Sequence, residues 1–258
     1  METSPDPWIG ALRHSHDRLQ ALVGPLDLGQ LEQRSYASEW SIAQVLSHLG
    51  SGAEIFGLFL QAGLAGQEPP GRDTFVPIWN AWNAKDPRAQ AADGLRADEA
   101  TLERFEALDP EQKVGLRLHL FGMDTDITGV ARMRVSEHAV HTWDIAVALD
   151  PAATLAPDAV GLLIDTVGHL ATWSAKPDGK PRRIRVSTSD PERHFLLETG
   201  EAVSLTESDG EDGLPELRLP AEAFVRLVYG RLDAAHTPGG ITGDPGLLDT
   251  LRATFPGP

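Results

Sequence analysis

The chain has 258 residues, no cysteine, and a formal net charge of −16 from 22 basic and 38 acidic side chains. That length can bury one large core or two small ones. The missing thiols exclude disulfides, thiolate metal sites and a cysteine nucleophile, and the acidity argues against nucleic acid or an anionic membrane as partner. No run approaches ~18 uninterrupted apolar residues, so no membrane span is expected. The start, METSPDPWIGALRHSHDRL, lacks a basic stretch followed by an apolar one, so a cytoplasmic address is expected. Any thiol chemistry must use a thiol brought by a second substrate, and an anionic substrate would need a local cluster of arginines.

In chain order, Trp8, Leu12, Ser15, Leu19 and Leu22 fall at helical spacing and predict a first helix over residues 6–23. SEWSIAQVLSHLGSGAEIFGLFLQAGLAG predicts a second. Ser41 and Gln44 make a capping-box pattern, Ile42, Val45, Leu46 and Leu49 follow on one face, and Gly63 and Gly66 end it. DTFVPIWNAWNAK and ADEATLERFEALDPEQK read as helical pieces of a third segment. ITGVARMRVSEHAVHTWDIAVALD is the fourth, stopped by Pro151. Beyond it, APDAVGLLIDTVGHLATWSA predicts one more helix. RRIRVST, HFLLET, AVSLTES and PELRLP then alternate with period two, separated by turn-rich SDPE and SDGEDG. PAEAFVRLVYGRL and GDPGLLDTLRATFP read as closing helices. Four helices followed by a strand-rich segment predict an α+β chain of two domains, residues 1–150 and 151–258, joined near DPAATLAP.

The fourth helix carries the most informative residues. On a wheel at ~100° per residue, Met133, Val140 and Val147 mark a buried stripe, and Glu137, His141 and Asp144 fall within roughly 80° of it. His138 falls off the stripe and reads as solvated. An isolated carboxylate in an apolar setting costs several kcal/mol or loses its charge. A divalent metal would compensate, and Glu137 and His141, four apart, can reach one ion, as inward-facing ligands do in helical bundles. An ordinary Glu–His surface pair has the same spacing. Asp144 is placed either to orient His141 or to join a local polar network.

The other histidines read less sharply. His48, in VLSHLGSG, sits on the flank of an apolar face and by itself reads as a core histidine bonded to a backbone carbonyl. His16 lies at the edge of the first helix's stripe and His14 away from it. His119, His194 and His236 fall in strand-like or loop stretches. Asp165 and His169 repeat the i, i+4 spacing on what reads as a surface.

With these residues in place, EWSIAQVLSHLGSGAEIF and RVSEHAVHTWDIAVAL resemble the paired signatures of the DinB-like, mycothiol-dependent maleylpyruvate isomerase family. Trp40 matches the tryptophan before its second helix, His48 its helix-two histidine, and Glu137, His141, Trp143 and Asp144 its Glu-x-x-x-His followed by Trp-Asp. LPAEAFVRLVYGRLD and ITGDPGLLDTLRATFPG resemble its C-terminal domain. The resemblance implies a DinB-like four-helix bundle holding a divalent metal, usually zinc, followed by a small α+β domain with a short, antiparallel-rich sheet. It implies a His48, Glu137, His141 ligand set with an open position for water or substrate. A low-molecular-weight thiol such as mycothiol would serve as cosubstrate of an isomerase or S-transferase acting on a small electrophile. A dicarboxylate substrate would need cations, for which Arg226 and Arg231 are the candidates, although both positions also suit solvated or packing arginines. A metal-dependent hydrolase or amidase and a non-catalytic metal- or ligand-binding protein are the competing readings, and the same ligands could hold Fe(II). A monomer or weak homodimer is expected.

Overall fold

The computed structural model describes residues 4–37, 39–208 and 213–257. Ser38, at the head of the second predicted helix segment, and most of the turn read at SDGEDG lie outside them. The chain divides into two compact units, Met1–Ala153 and Thr154–Pro258.

The first unit is built on four long helices: α1 (Asp6–Val23), α3 (Ile42–Ala65), α5 (Pro87–Glu106) and α7 (Ile127–Leu149). Short α2 (Leu28–Glu32), α4 (Arg72–Asn83) and α6 (Pro110–Gly115) connect them. α1 packs on α5 and α7, and α3 packs on the same two helices, so the four close into a bundle. The starts follow from local chemistry. Ser41 accepts from the amide of Gln44, whose side chain returns to the Ser41 amide, the predicted capping box. Asp86 and Asp126 cap α5 and α7 in the same way with one bond each. Gly66, in the left-handed conformation, ends α3.

Two features differ from the expected layout. α5 begins at Pro87, ten residues before the segment predicted for it, because its inward face carries Gln90, Ala91, Gly94, Asp98 and Thr101 rather than an apolar stripe. The bundle also contains an antiparallel hairpin, β1 (Arg117–Leu120) with β2 (Met123–Asp126), whose turn is made by Phe121 and Gly122 at positive φ.

α3 and α5 approach most closely at two glycines. A Cβ on Gly94 would lie 2.7 Å from the Leu46 carbonyl oxygen, and one on Gly50 would lie 2.8 Å from the Gly94 Cα. Backbone cannot yield as a side-chain tip can, so Gly94→Ala is expected to destabilise the protein by about 1–3 kcal/mol despite alanine's better helix propensity. A urea midpoint equal to wild type would show that the helices separate freely here.

The second unit opens with α8 (Pro157–Leu163) and α9 (Val167–Ser174), separated by a 3₁₀ turn at Ile164–Thr166 where one helix was predicted. A five-stranded mixed sheet follows, in the order β5-β4-β3-β6-β7. Its strands are β3 (Arg182–Ser189), β4 (Arg193–Thr199), β5 (Ser204–Glu207), β6 (Glu216–Pro220) and β7 (Thr242–Gly243). Among the described residues, only β3 and β6 pair in parallel. The period-two pattern sends Ile184, Val186, Phe195, Leu197, Leu217 and Leu219 into the core. There Phe195 meets Phe224 of α10 (Ala221–Val228), with ring centres 5.4 Å apart. The opposite face carries ion pairs Arg183–Glu198, Arg185–Glu216 and Arg218–Glu216. α11 (Pro245–Thr254) closes the unit.

Candidate metal centre

The stretch between α2 and α3 lies over the C-terminal half of α7. The Tyr36 amide donates to the Asp144 carbonyl, the Gln33 side chain donates to the Ala148 carbonyl, and the Tyr36 ring packs edge-on against Trp143 at 4.8 Å. This segment delivers Trp40, whose ring centre lies 5.1 Å from that of His48 and 6.2 Å from that of His141.

Here α3 and α7 bring three predicted residues together. His48 Nε2 lies 2.9 Å from Glu137 Oε2, and His141 Nε2 lies 3.7 Å from the same oxygen. One ligand atom from each of the three falls within 4.8 Å of the others. His141 Nδ1 donates to Asp144 Oδ2 at 2.8 Å, and the Asp144 carboxylate is wholly buried. That bond fixes the tautomer, leaving the His141 Nε2 lone pair directed at the cluster. The Glu137 carboxyl is held down at about 2: burial opposes its charge, but the His48 hydrogen bond, the charges that His141 and His48 carry when protonated, and Arg134 outweigh burial. The donor set is therefore two imidazole nitrogens and one carboxylate, which suits a divalent transition metal. The side chains of His48 and Glu137 remain 37% and 44% exposed, so a further coordination position would be open.

His138 corrects the expectation of a solvated side chain. It is fully buried, its Nε2 donating to Asp98 Oδ2 at 2.7 Å while its Nδ1 lies 3.0 Å from Ser15 Oγ. The same carboxylate accepts from His16 Nδ1 at 2.7 Å and, through Oδ1, from Arg134 Nη2 at 2.8 Å. The wheel misplaced His138 because α7 has no single inward stripe; it is buried around most of its circumference. His16, Asp98 and His138 also have the proximity of a ligand set. They fit a metal poorly: Asp98 already holds the Arg134 guanidinium at 2.8 Å, a cation with which a dication would have to share that carboxylate. The cluster is a buried charge network.

That network gives a pH signature. Burial opposes the His16 charge, yet Asp98 and Glu99 outweigh both burial and Arg13 and raise its pKa above 6.5. A proton held more tightly in the folded state stabilises fully below the unfolded value, near 6.5, and that contribution is lost as pH rises through the raised folded value. The urea midpoint is therefore expected to fall as pH rises above about 6.5, and His16→Gln to flatten that fall. An equal slope in the variant would assign the dependence elsewhere.

The two arginines of the expected carboxylate clamp are engaged inside the second unit. Arg226 donates through Nε and Nη2 to both oxygens of Glu222, and through Nη1 to the His236 carbonyl at 2.8 Å. Arg231 donates through Nη1 to the Tyr229 carbonyl at 2.8 Å. Both side chains are buried and tie α10 to the segment that follows it. His14 and His169 are exposed, and Asp165 pairs with Arg193.

Asp98 was not singled out by sequence reasoning, nor was Arg134. The available signal was an aspartate at helical spacing from Leu102 and Phe105 on the inward face of α5.

The family model described as the mycothiol maleylpyruvate isomerase N-terminal domain matches residues 12–146, more than half of the chain. Two solved structures match over 95% of both chains at 12% identity. They are a mycothiol-dependent maleylpyruvate isomerase, at a TM-score of 0.69, and a histidine-to-alanine mutant of the mycothiol-dependent maleylpyruvate isomerase, at 0.70. At that identity the likeness is one of fold. No curated protein matches the chain.

Proposed function

Because the chain belongs to the family defined by the mycothiol maleylpyruvate isomerase N-terminal domain, we propose that it is a metal- and thiol-dependent enzyme, an isomerase or S-transferase acting on a small electrophile. The observation that carries this reading is the convergence of His48, Glu137 and His141 on one point. When bound there, a divalent cation, zinc in this proposal, would lower the pKa of a coordinated thiol and so supply a thiolate at neutral pH. The chain has no cysteine, which makes a low-molecular-weight thiol such as mycothiol the natural partner.

The residues around the centre have separable tasks. His48 and His141 offer neutral nitrogens, and Glu137 contributes the one negative charge that partly offsets a dication. Asp144 keeps the His141 proton on Nδ1, away from the centre. Trp40 forms an apolar wall beside both imidazoles. With a cis-enone, the thiol sulfur would bond to the β-carbon, the former double bond would rotate, and elimination would release the trans product and the thiol. With a substrate carrying a leaving group, the sulfur would bond to the carbon as that group departs with its electron pair, and would stay attached. A substrate carboxylate at Arg226 or Arg231 would have to displace the carbonyl acceptors those residues hold.

The test is a panel of cis-enones and alkylating electrophiles assayed with and without mycothiol. Turnover that requires the thiol is expected, with return of free thiol marking the isomerase and its consumption the transferase. Turnover with no thiol added and none copurifying would sink the reading.

A further inference from the structure

α7 presents two sets of polar side chains. Glu137 and His141 meet His48 of α3, while Arg134 and His138, one turn apart, meet Asp98 of α5. The two sets interleave along the same two turns, with His138 adjacent to Glu137 and Arg134 one turn before it. Asp98 grips α7 with both oxygens: Oδ1 takes Arg134 and Oδ2 takes His138, while Oδ2 also takes His16 of α1. One carboxylate thus joins three of the four bundle helices. The fourth is engaged through Arg134, whose Nη1 would lie 3.0 Å from a Cβ on Gly52, one turn after His48, and whose guanidinium lies over the Phe56 ring at 5.3 Å.

We propose that Asp98 is a positioning residue of the metal centre: by holding Arg134 and His138 it sets the rotation and axial register at which Glu137 and His141 meet His48. This rests on the reading of those three residues as ligands. Side-chain ends lie about 5–6 Å from a helix axis, so a rotation of about 10° moves a ligand atom by about 1 Å. A metal site tolerates about 0.2 Å. Packing of aliphatic side chains permits such a slide at small cost, whereas two hydrogen bonds to one carboxylate, at positions one turn apart, do not. Asp98 touches neither metal nor substrate and acts through the helix that carries two ligands.

The experiment measures zinc affinity by competition with a chelator, and the visible spectrum of the cobalt-substituted protein, for the full chain and three variants. Asp98→Asn keeps the side chain's size but not its paired acceptors, and His138→Gln releases one of the two grips should Asp98→Asn fail to fold. Leu102→Ala, one turn from Asp98 in the same helix and fully buried, lowers stability without touching the network. Asp98→Asn and His138→Gln are expected to weaken zinc binding about 10–100-fold and to alter the cobalt bands. Leu102→Ala should stay within about twofold of wild type with unchanged bands. Wild-type affinity and spectrum in both network variants would overturn the proposal, as would an equal loss in Leu102→Ala, which marks general softening. Failure of the wild-type chain to bind zinc would overturn the ligand reading, and this proposal with it.

Discussion

Glu137→Ala is expected to take the metal content of the purified protein from near one equivalent per chain to near zero, and thiol-dependent turnover with it. The carboxylate is the only anionic member of the cluster, and its Oε2 is the atom on which His48 and His141 converge, at 2.9 and 3.7 Å. Without it two neutral imidazoles remain. The loss should exceed the roughly 10–100-fold that removal of an outer hydrogen-bond partner causes, because a bond to the ion itself is removed. His48→Ala should do the same from the opposite helix. Neither change should unfold the chain: both side chains are part-exposed, so the cost in stability is expected to stay below about 1 kcal/mol. Elemental analysis and a urea titration on the same preparations check this. Full metal content in either variant refutes the ligand assignment, and a collapsed urea midpoint would mean the cluster is structural.

Asp98→Ala should differ by costing stability as well as weakening the metal site. It leaves the Arg134 cation, 1% exposed, without the carboxylate it donates to, and takes one of two partners from each of two buried histidines. Breaking one side of a buried pair costs about 3–5 kcal/mol, a large share of the roughly 5–15 kcal/mol that holds a typical protein folded. With a denaturant slope of about 2 kcal/mol per molar urea, the midpoint falls by about 2 M. Adding Arg134→Met should restore part of that loss, since the stranded charge is then gone. The Asp98 carboxyl is itself held well below 3.8: burial opposes its charge, but His138, His16 and Arg134 outweigh it. Its contribution is thus complete above 3.8 and is lost only as pH falls through that much lower folded value. A cost below about 1 kcal/mol for Asp98→Ala would show that water already reaches the network.

The elements that announced themselves were those whose chemistry is local. The capping box at Ser41 and Gln44, the apolar spacing of α1 and the alternation in β3, β4 and β6 all needed only near neighbours in sequence. The Glu137, His141 and Asp144 grouping was legible for the same reason. His48 was not: a histidine on a helix flank looks alike whether it faces a carbonyl or a carboxylate, and only the family resemblance pointed to it. His138 was misread because a single wheel assumes one inside and one outside, whereas α7 is surrounded. α5 was half hidden because its inward face is polar and small. Gly94 is there to admit α3, and Asp98 to receive three other side chains; both depend on partners distant in sequence. The hairpin β1–β2 is two four-residue strands: RLHL alternates but is too short for the period to register, and MDTD carries no alternation.

The Trp40 ring beside His48 and His141 has an optical consequence. An imidazole in van der Waals contact with an indole quenches its emission, to a degree that depends on whether the ring nitrogen carries a proton, a lone pair or an ion. Trp40 fluorescence should therefore change as the centre fills, and change again when a ligand displaces water from it. The other five tryptophans supply a background, which a Trp40→Phe difference spectrum removes. Occupancy could then be followed in real time without a label, in a protein whose chemistry is otherwise colourless.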